Sequence, residues 1–178
     1  METKWKVGFV GTGVMGKSIV KHLLRAGHEV SLYTRTKEKA QELIEMGATW
    51  METPGEVAAR STLVFTMVGY PQDVKEIYFG DQGIYQHGKP NLIVVDLTTS
   101  TPTLAIELYD KAKEIQMNSL DAPVSGGDIG AQSGKLSIMV GGDEEIFNTI
   151  LPLFELFGEQ IVYQGKAGAG QHTKMCNQ

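Results

Sequence analysis

Lys6-Val7-Gly8-Phe9-Val10-Gly11-Thr12-Gly13-Val14-Met15-Gly16 is a short apolar run that ends in a G-x-G-x-x-G. A run of this length and character suits a buried parallel strand. Beyond it, Met15, Ile19, Leu23 and Ala26 recur three and four residues apart. That spacing predicts a helix over residues 14–26, closed by Gly27 at its C′ position. In a strand-turn-helix the three glycines have separate tasks. Gly11 permits the tight turn, Gly13 lets backbone approach a pyrophosphate, and Gly16 lets the helix pack on the strand. The first N–H groups of the helix and its positive dipole end then face the phosphates. A G-x-G-x-x-G by itself is weak, and its place between strand and helix is what makes it a dinucleotide fingerprint. The plainer alternative is a glycine-rich turn with no ligand.

Outward from this turn, strand and helix patterns alternate. Residues 29–33 read as a second strand, and Thr36 as the N-cap of a helix over 37–46 that Gly47 stops. Residues 62–68 and 92–97 are continuous apolar runs, as central strands covered on both faces should be. Helices are predicted over 71–78, 102–115 and 143–157, and further strands over 118–122, 136–140 and 161–163. This order predicts an α/β, Rossmann-type, doubly wound and mostly parallel sheet with right-handed crossovers. Residues 171–178 read as the first turns of a helix with little to bury by itself. The expected organisation is a dinucleotide-binding domain over 1–164 and the start of an interdomain helix over 165–178, in the N-terminal part of a longer protein.

The composition narrows the function. The 178 residues have the length of about one domain. Sixteen Lys and Arg against twenty-one Asp and Glu give a net charge of −5, which offers no basic excess for nucleic acid. No stretch approaches the roughly 20 apolar residues of a membrane span. The lone Cys176 fits a reducing compartment, and the charged start lacks the apolar core of a signal peptide. A cytoplasmic protein is expected. The histidines are scattered singly, and Cys176 has no partner at ligand spacing, so no metal site is predicted.

The second strand bears on the cofactor. NAD sites carry Asp or Glu at its end, about 20 residues past the glycines, to bond the ribose 2′-hydroxyl. Tyr33-Thr34-Arg35-Thr36-Lys37 stands there instead. Arg35 can stack on adenine and grip a 2′-phosphate, with the Thr34 and Thr36 hydroxyls beside it. NADP is therefore expected ahead of NAD; a solvated basic turn is the alternative. Gly11, Thr12, Gly13, Val14, Met15 and Gly16 are expected to line the cofactor together with Met67, Val68 and Gly69 at the next strand end. Thr98 and Thr99, after the following strand, either contact the nicotinamide side or serve as hydroxyls capping the helix that begins near Pro102.

Three further segments carry a family likeness: Asp121-Ala122-Pro123-Val124-Ser125-Gly126-Gly127, Leu136-Ser137-Ile138-Met139-Val140-Gly141-Gly142, and Gly168 through Gln178 with Lys174 in register. With the glycine loop they make the chain resemble the β-hydroxyacid dehydrogenases, which include 3-hydroxyisobutyrate dehydrogenase and tartronate semialdehyde reductase. The resemblance implies oxidation of a short 3-hydroxy acid, or reduction of its semialdehyde, with hydride moving to or from nicotinamide C4. It makes Lys174 the general acid/base, a role for which a lysine at about 10.4 in water must be shifted downward. It assigns the substrate carboxylate to Ser125, Gly126 and Gly127, and the substrate hydroxyl to Asn177, with Gln178 nearby. It also implies an all-helical second domain, missing from these residues, that completes the site and makes a homo-oligomer, so that this segment alone is weak or inactive. Thr12 departs from the family's usual Leu and is expected to point into the loop. Two alternatives stay open: a 6-phosphogluconate dehydrogenase-like enzyme, which needs extra basic residues for its substrate phosphate, and a non-catalytic NADP-binding module. Imine reductases of similar fold lack the lysine.

Overall fold

A computed structural model of the chain describes residues 4–177. Strands β1 (Lys6–Val10), β2 (Glu29–Tyr33), β3 (Thr49–Trp50), β4 (Leu63–Thr66), β5 (Ile93–Asp96) and β6 (Asn118–Asp121) run parallel in the order β3-β2-β1-β4-β5-β6. The chain leaves β1 in one direction to build β2 and β3 and returns to its other side for β4, so the C-terminal ends of β1 and β4 flank a switch point, where open sheets bind ligands.

Alternate residues of each central strand face opposite layers. Phe9 and Phe65 pack with Phe154 and Phe157 on one face, while Val10, Val64 and Val94 pack with Tyr78 and Leu104 on the other. Burial on both faces is why these strands read as unbroken apolar runs. Phe65 meets Phe9, Phe154 and Phe157 with ring centroids 5.5–6.2 Å apart, so truncating it to Ala should cost about 3–5 kcal/mol.

The sheet closes differently from a fully parallel one. β7 (Val124–Ser125) and β8 (Leu136–Gly141) pair antiparallel, β8 also runs antiparallel to β6, and β9 (Gly158–Gly165) joins the far edge of β8 in parallel. Residues 126–135, between β7 and β8, are too few for a parallel crossover of a dozen or more residues. They hold one short helix instead.

The helices, in chain order, are α1 (Val14–Arg25), α2 (Gln41–Glu45), α3 (Pro54–Arg60), α4 (Pro71–Phe79), α5 (Ile84–His87), α6 (Pro102–Glu114), α7 (Gly127–Ser133), α8 (Glu144–Phe154) and α9 (Ala169–Cys176). The predicted helix over 37–46 is divided into a 3₁₀ turn, Lys37–Ala40, and α2; Thr36 makes no side-chain cap there. The helix predicted over 143–157 stops at Phe154, two residues past Pro152. The hydroxyl that caps α6 belongs to Thr101, which accepts from the Leu104 N–H at 3.2 Å, not to Thr98 or Thr99.

Candidate active site

The glycine turn is built by close backbone contact. Gly11 has φ +96, and a Cβ on it would run into the Met67 carbonyl at the end of β4. A Cβ on Gly16 would strike the Gly11 carbonyl and Phe9. Gly13, the N-cap of α1, has open space around it. The first turn of α1 has neither a side-chain cap nor an acidic residue. Its N–H groups and positive dipole end thus face the cleft without a side-chain cap, an arrangement that fits a pyrophosphate. Thr12 does not point into an open loop. It is only 5% exposed, and its hydroxyl has no hydrogen-bond partner.

The cleft above this turn has a volume of about 910 Å³. Its wall contains all six loop residues from Gly11 to Gly16, then Thr34, Arg35 and Thr36, then Met67, Val68 and Gly69. Three separate strand ends thus meet at one cavity. Thr99 is exposed and does not line it. Thr98 is buried, with its Oγ1 accepting from the Val68 N–H at 3.0 Å and its own N–H donating to Asp96 Oδ1 at 3.1 Å. Acidic groups that the end of β2 gives no hint of enter from α4: Asp73 and Glu76 line the cleft, and Asp73 accepts from Arg35. Arg35 keeps its side chain 77% exposed.

Beneath the cleft floor lies a buried polar group. Asp96 Oδ1 also accepts from the Thr66 hydroxyl at 3.0 Å, and that hydroxyl lies 2.8 Å from the Tyr78 hydroxyl. Burial pushes the Asp96 carboxyl up to about 6, against the opposing effect of its donors on Thr98 and Thr66.

A second constellation surrounds α9. Asp121, at the end of β6, accepts from the Gly168 N–H at 2.9 Å and from the Gln171 N–H at 3.0 Å, one on each carboxylate oxygen. It therefore caps the helix, and burial holds its carboxyl above the ordinary range despite these donors. Cβ atoms on Gly141 or Gly170 would collide with Asp121 and with the facing backbone, so α9 rests on β8 almost main chain to main chain. One turn further on, Lys174, 9% exposed, donates from Nζ to Ser125 Oγ at 2.6 Å. This joins two residues that sequence placed in separate motifs. Gly126 and Gly127 follow Ser125 with positive φ and open α7. Asn177, at the C-cap of α9, donates toward Met139 Sδ at 3.9 Å. Gln178 lies outside the described residues.

Sequence reasoning passed over Asp96, Asp73 and the side chain of Gln171, which is fully buried. An Asp closing the apolar run at 92–97 is a readable signal, since a buried carboxylate needs donors. Asp73 carries none, because only the fold brings α4 to the end of β2. Among the described residues no cluster of His, Cys, Asp and Glu could hold a metal ion, and no helix is long and apolar enough to cross a membrane.

The fold, the uncapped helix start and the cleft at the switch point define a dinucleotide-binding domain of Rossmann type. More narrowly, residues 6–165 match the NAD binding domain of 6-phosphogluconate dehydrogenase, and the chain belongs to that family. It is 54% identical to an uncharacterized oxidoreductase of Bacillus subtilis, over 98% of this chain and 61% of that protein. It is 40% identical to the 2-hydroxy-3-oxopropionate reductase of Escherichia coli, over 97% of this chain and 59% of that one. The 3-hydroxyisobutyrate dehydrogenase of Mycobacterium tuberculosis, solved with L-serine, superposes with a TM-score of 0.93 at 32% identity, over 98% of this chain and 59% of that one. The chain thus spans about three fifths of the length of these relatives.

Proposed function

We propose that this chain binds NADP(H), and that the protein containing it interconverts a short 3-hydroxy acid and its semialdehyde. The observation that carries this reading is the half-buried Lys174 Nζ–Ser125 Oγ hydrogen bond of 2.6 Å, which brings the two separate motifs to one point. When bound, the cofactor supplies or accepts a hydride. Lys174 holds the proton that must travel with it: in reduction Nζ gives it to the aldehyde oxygen, and in oxidation Nζ takes it from the hydroxyl. Ser125 and the N–H groups of Gly126 and Gly127 hold the substrate carboxylate, Asn177 orients the hydroxyl, and Gln178 contributes to substrate binding. Gly11 to Gly16 hold the pyrophosphate. Arg35, with Thr34 and Thr36, takes the 2′-phosphate. Met67, Val68 and Gly69 face the nicotinamide half, and we place Thr99 at the rim of that region.

Residues 1–164 form the cofactor domain in this reading, and 165–178 begin the helix that leads out of it. The remaining two fifths found in the relatives closes the substrate pocket and joins the subunits. Titrating this chain with NADPH and with NADH by fluorescence tests the cofactor half of the proposal. Turnover of the full-length protein with tartronate, methylmalonate and succinic semialdehydes and with 6-phosphogluconate tests the substrate half. Reduction of at least one semialdehyde, abolished by Lys174→Ala with NADPH affinity intact, is the expected result. Turnover with 6-phosphogluconate alone overturns the substrate class, and unchanged turnover in Lys174→Ala overturns the role of the lysine.

A further inference from the structure

Gln171 precedes Lys174 by three residues, so the two side chains occupy neighbouring positions on one face of α9. Its side chain is fully buried. It makes two hydrogen bonds to one loop: Oε1 accepts from the Ser100 N–H at 2.8 Å, and Nε2 donates to the Thr98 carbonyl at 2.7 Å. A side chain that satisfies both groups must offer an acceptor and a donor at the same end, at this reach. Glutamate lacks the donor, methionine lacks both, and asparagine is one methylene short.

The loop so gripped is tied to the cleft wall. Thr98 Oγ1 accepts from the N–H of Val68, and Val68 lines the cavity with Gly11 and Met67. The Thr98 N–H is in turn held by Asp96. A path of hydrogen bonds, half-buried at Val68 and buried beyond it, therefore runs from the cleft wall through loop 98–100 to α9. The backbone of Gln171 is fixed separately by Asp121, which sets the start of the helix but leaves the side that faces loop 98–100 to the Gln171 amide.

We propose that Gln171 is a positioning residue for hydride transfer: its amide clamps α9 to loop 98–100 and thereby sets where Lys174 Nζ stands relative to the reacting atoms. The inference rests on the reading of Lys174 as the proton carrier. Loss of the clamp leaves Lys174 in place chemically but free to shift by a fraction of a helix turn, and displacements near 1 Å can cost about 100-fold in rate.

The test is made in the full-length protein with Gln171→Met, which keeps the length and loses both bonds, and with Gln171→Glu. In Gln171→Met, kcat is expected to fall about 10- to 100-fold, with the NADPH Kd within about twofold of the parent. The primary isotope effect with NADPH deuterated at the transferred position should rise, because hydride transfer then limits turnover. A smaller folded fraction alone would lower the rate and leave the isotope effect unmoved. In Gln171→Glu, activity relative to the parent should recover as pH falls, since the protonated carboxyl regains one donor and one acceptor. Parent-like kcat per folded site in both variants overturns the inference, as does a loss with an unchanged isotope effect. If Gln171→Met does not fold, the absence of acidic recovery in Gln171→Glu overturns it. Lys174→Ala separates the two claims. If it retains turnover, the proton role of Lys174 and this inference both fall; if it is inactive while the Gln171 variants are normal, only this inference does.

Discussion

Arg35 Nη2 donates to Asp73 Oδ1 at 3.0 Å, so the cation at the end of β2 is held by a carboxylate from the first turn of α4. Both line the cleft, and the pair bridges the two walls between which the adenosine half of a dinucleotide would lie. An ion pair this exposed stabilises the fold by under about 1 kcal/mol, so a 2′-phosphate can displace it. Asp73→Asn should free Arg35 and remove a repulsive charge, tightening NADPH binding about 3- to 10-fold and leaving NADH unchanged. The gain should shrink at high salt. Titrations at two ionic strengths check it, and an equal change for both cofactors would refute it.

Reversing the charge makes the complementary experiment. Arg35→Asp should weaken NADPH by about 10-fold or more, the magnitude of a lost charged hydrogen bond, and improve NADH relative to it. An unchanged ratio of the two dissociation constants would remove Arg35 from cofactor choice.

Asp121 should matter for stability before it matters for chemistry. Its two oxygens accept from two N–H groups at the start of α9. Asp121→Asn keeps one acceptor and turns an N–H₂ against the other donor. The expected cost is about 1–3 kcal/mol, read as a Tm lower by roughly 2–4 °C per kcal/mol. Amide exchange should accelerate in α9 and not in α1. Uniform acceleration across both helices would contradict a local capping role.

Asp96 makes stability depend on pH with a sign opposite to a salt-bridged carboxylate. Its folded value of about 6 lies above the ordinary 3.8, so the folded state binds more protons between the two. The contribution is therefore fully present below about pH 4 and is lost as pH rises through about 6. The buried Asp121 carboxylate pushes in the same direction. Asp96→Asn keeps an acceptor for Thr66 and Thr98 and removes the ionisation. It should flatten the fall in stability between pH 4 and 6.5, a change of about 1–3 kcal/mol in denaturant melts. A parent-like pH profile would show that Asp96 is not the titrating group.

Much of this was legible in the chain, for reasons that individual residues make plain. The turn at Gly11–Gly16 and the strands around Phe65 and Val94 carry strong local patterns, so the parallel sheet and the cleft-lining residues followed from them. The small elements did not. β3 is two residues long, and α7 has a glycine at its N-cap and another at its first position and is held by packing on α1, where His22 Nε2 lies 2.8 Å from the Ala131 carbonyl. α3 does carry a local signal: Thr53 accepts from the Glu56 N–H three residues on, ahead of Pro54 at the helix start. The antiparallel β8 shows only in the shortness of the chain before it. In the candidate site, the motifs located Lys174 and Ser125 but not their 2.6 Å contact, nor the Gln171 amide, because both join residues far apart in the chain.

The bare contact of α9 with β8, glycine facing glycine, fixes what can vary in a protein built on this domain. Apart from the Asp121 carboxylate, backbone meets backbone there, so a Cβ on Gly141 or Gly170 would collide and force the start of the helix to move. The start of the helix that carries the lysine is thus tightly constrained, and further along the Gln171 amide holds it. If the protein acts on hydroxy acids as proposed, acceptance of larger or smaller ones is adjusted more readily from the opposite side of the pocket, so a search for altered substrate range should leave residues 139–142 and 168–171 untouched and randomise whatever faces them.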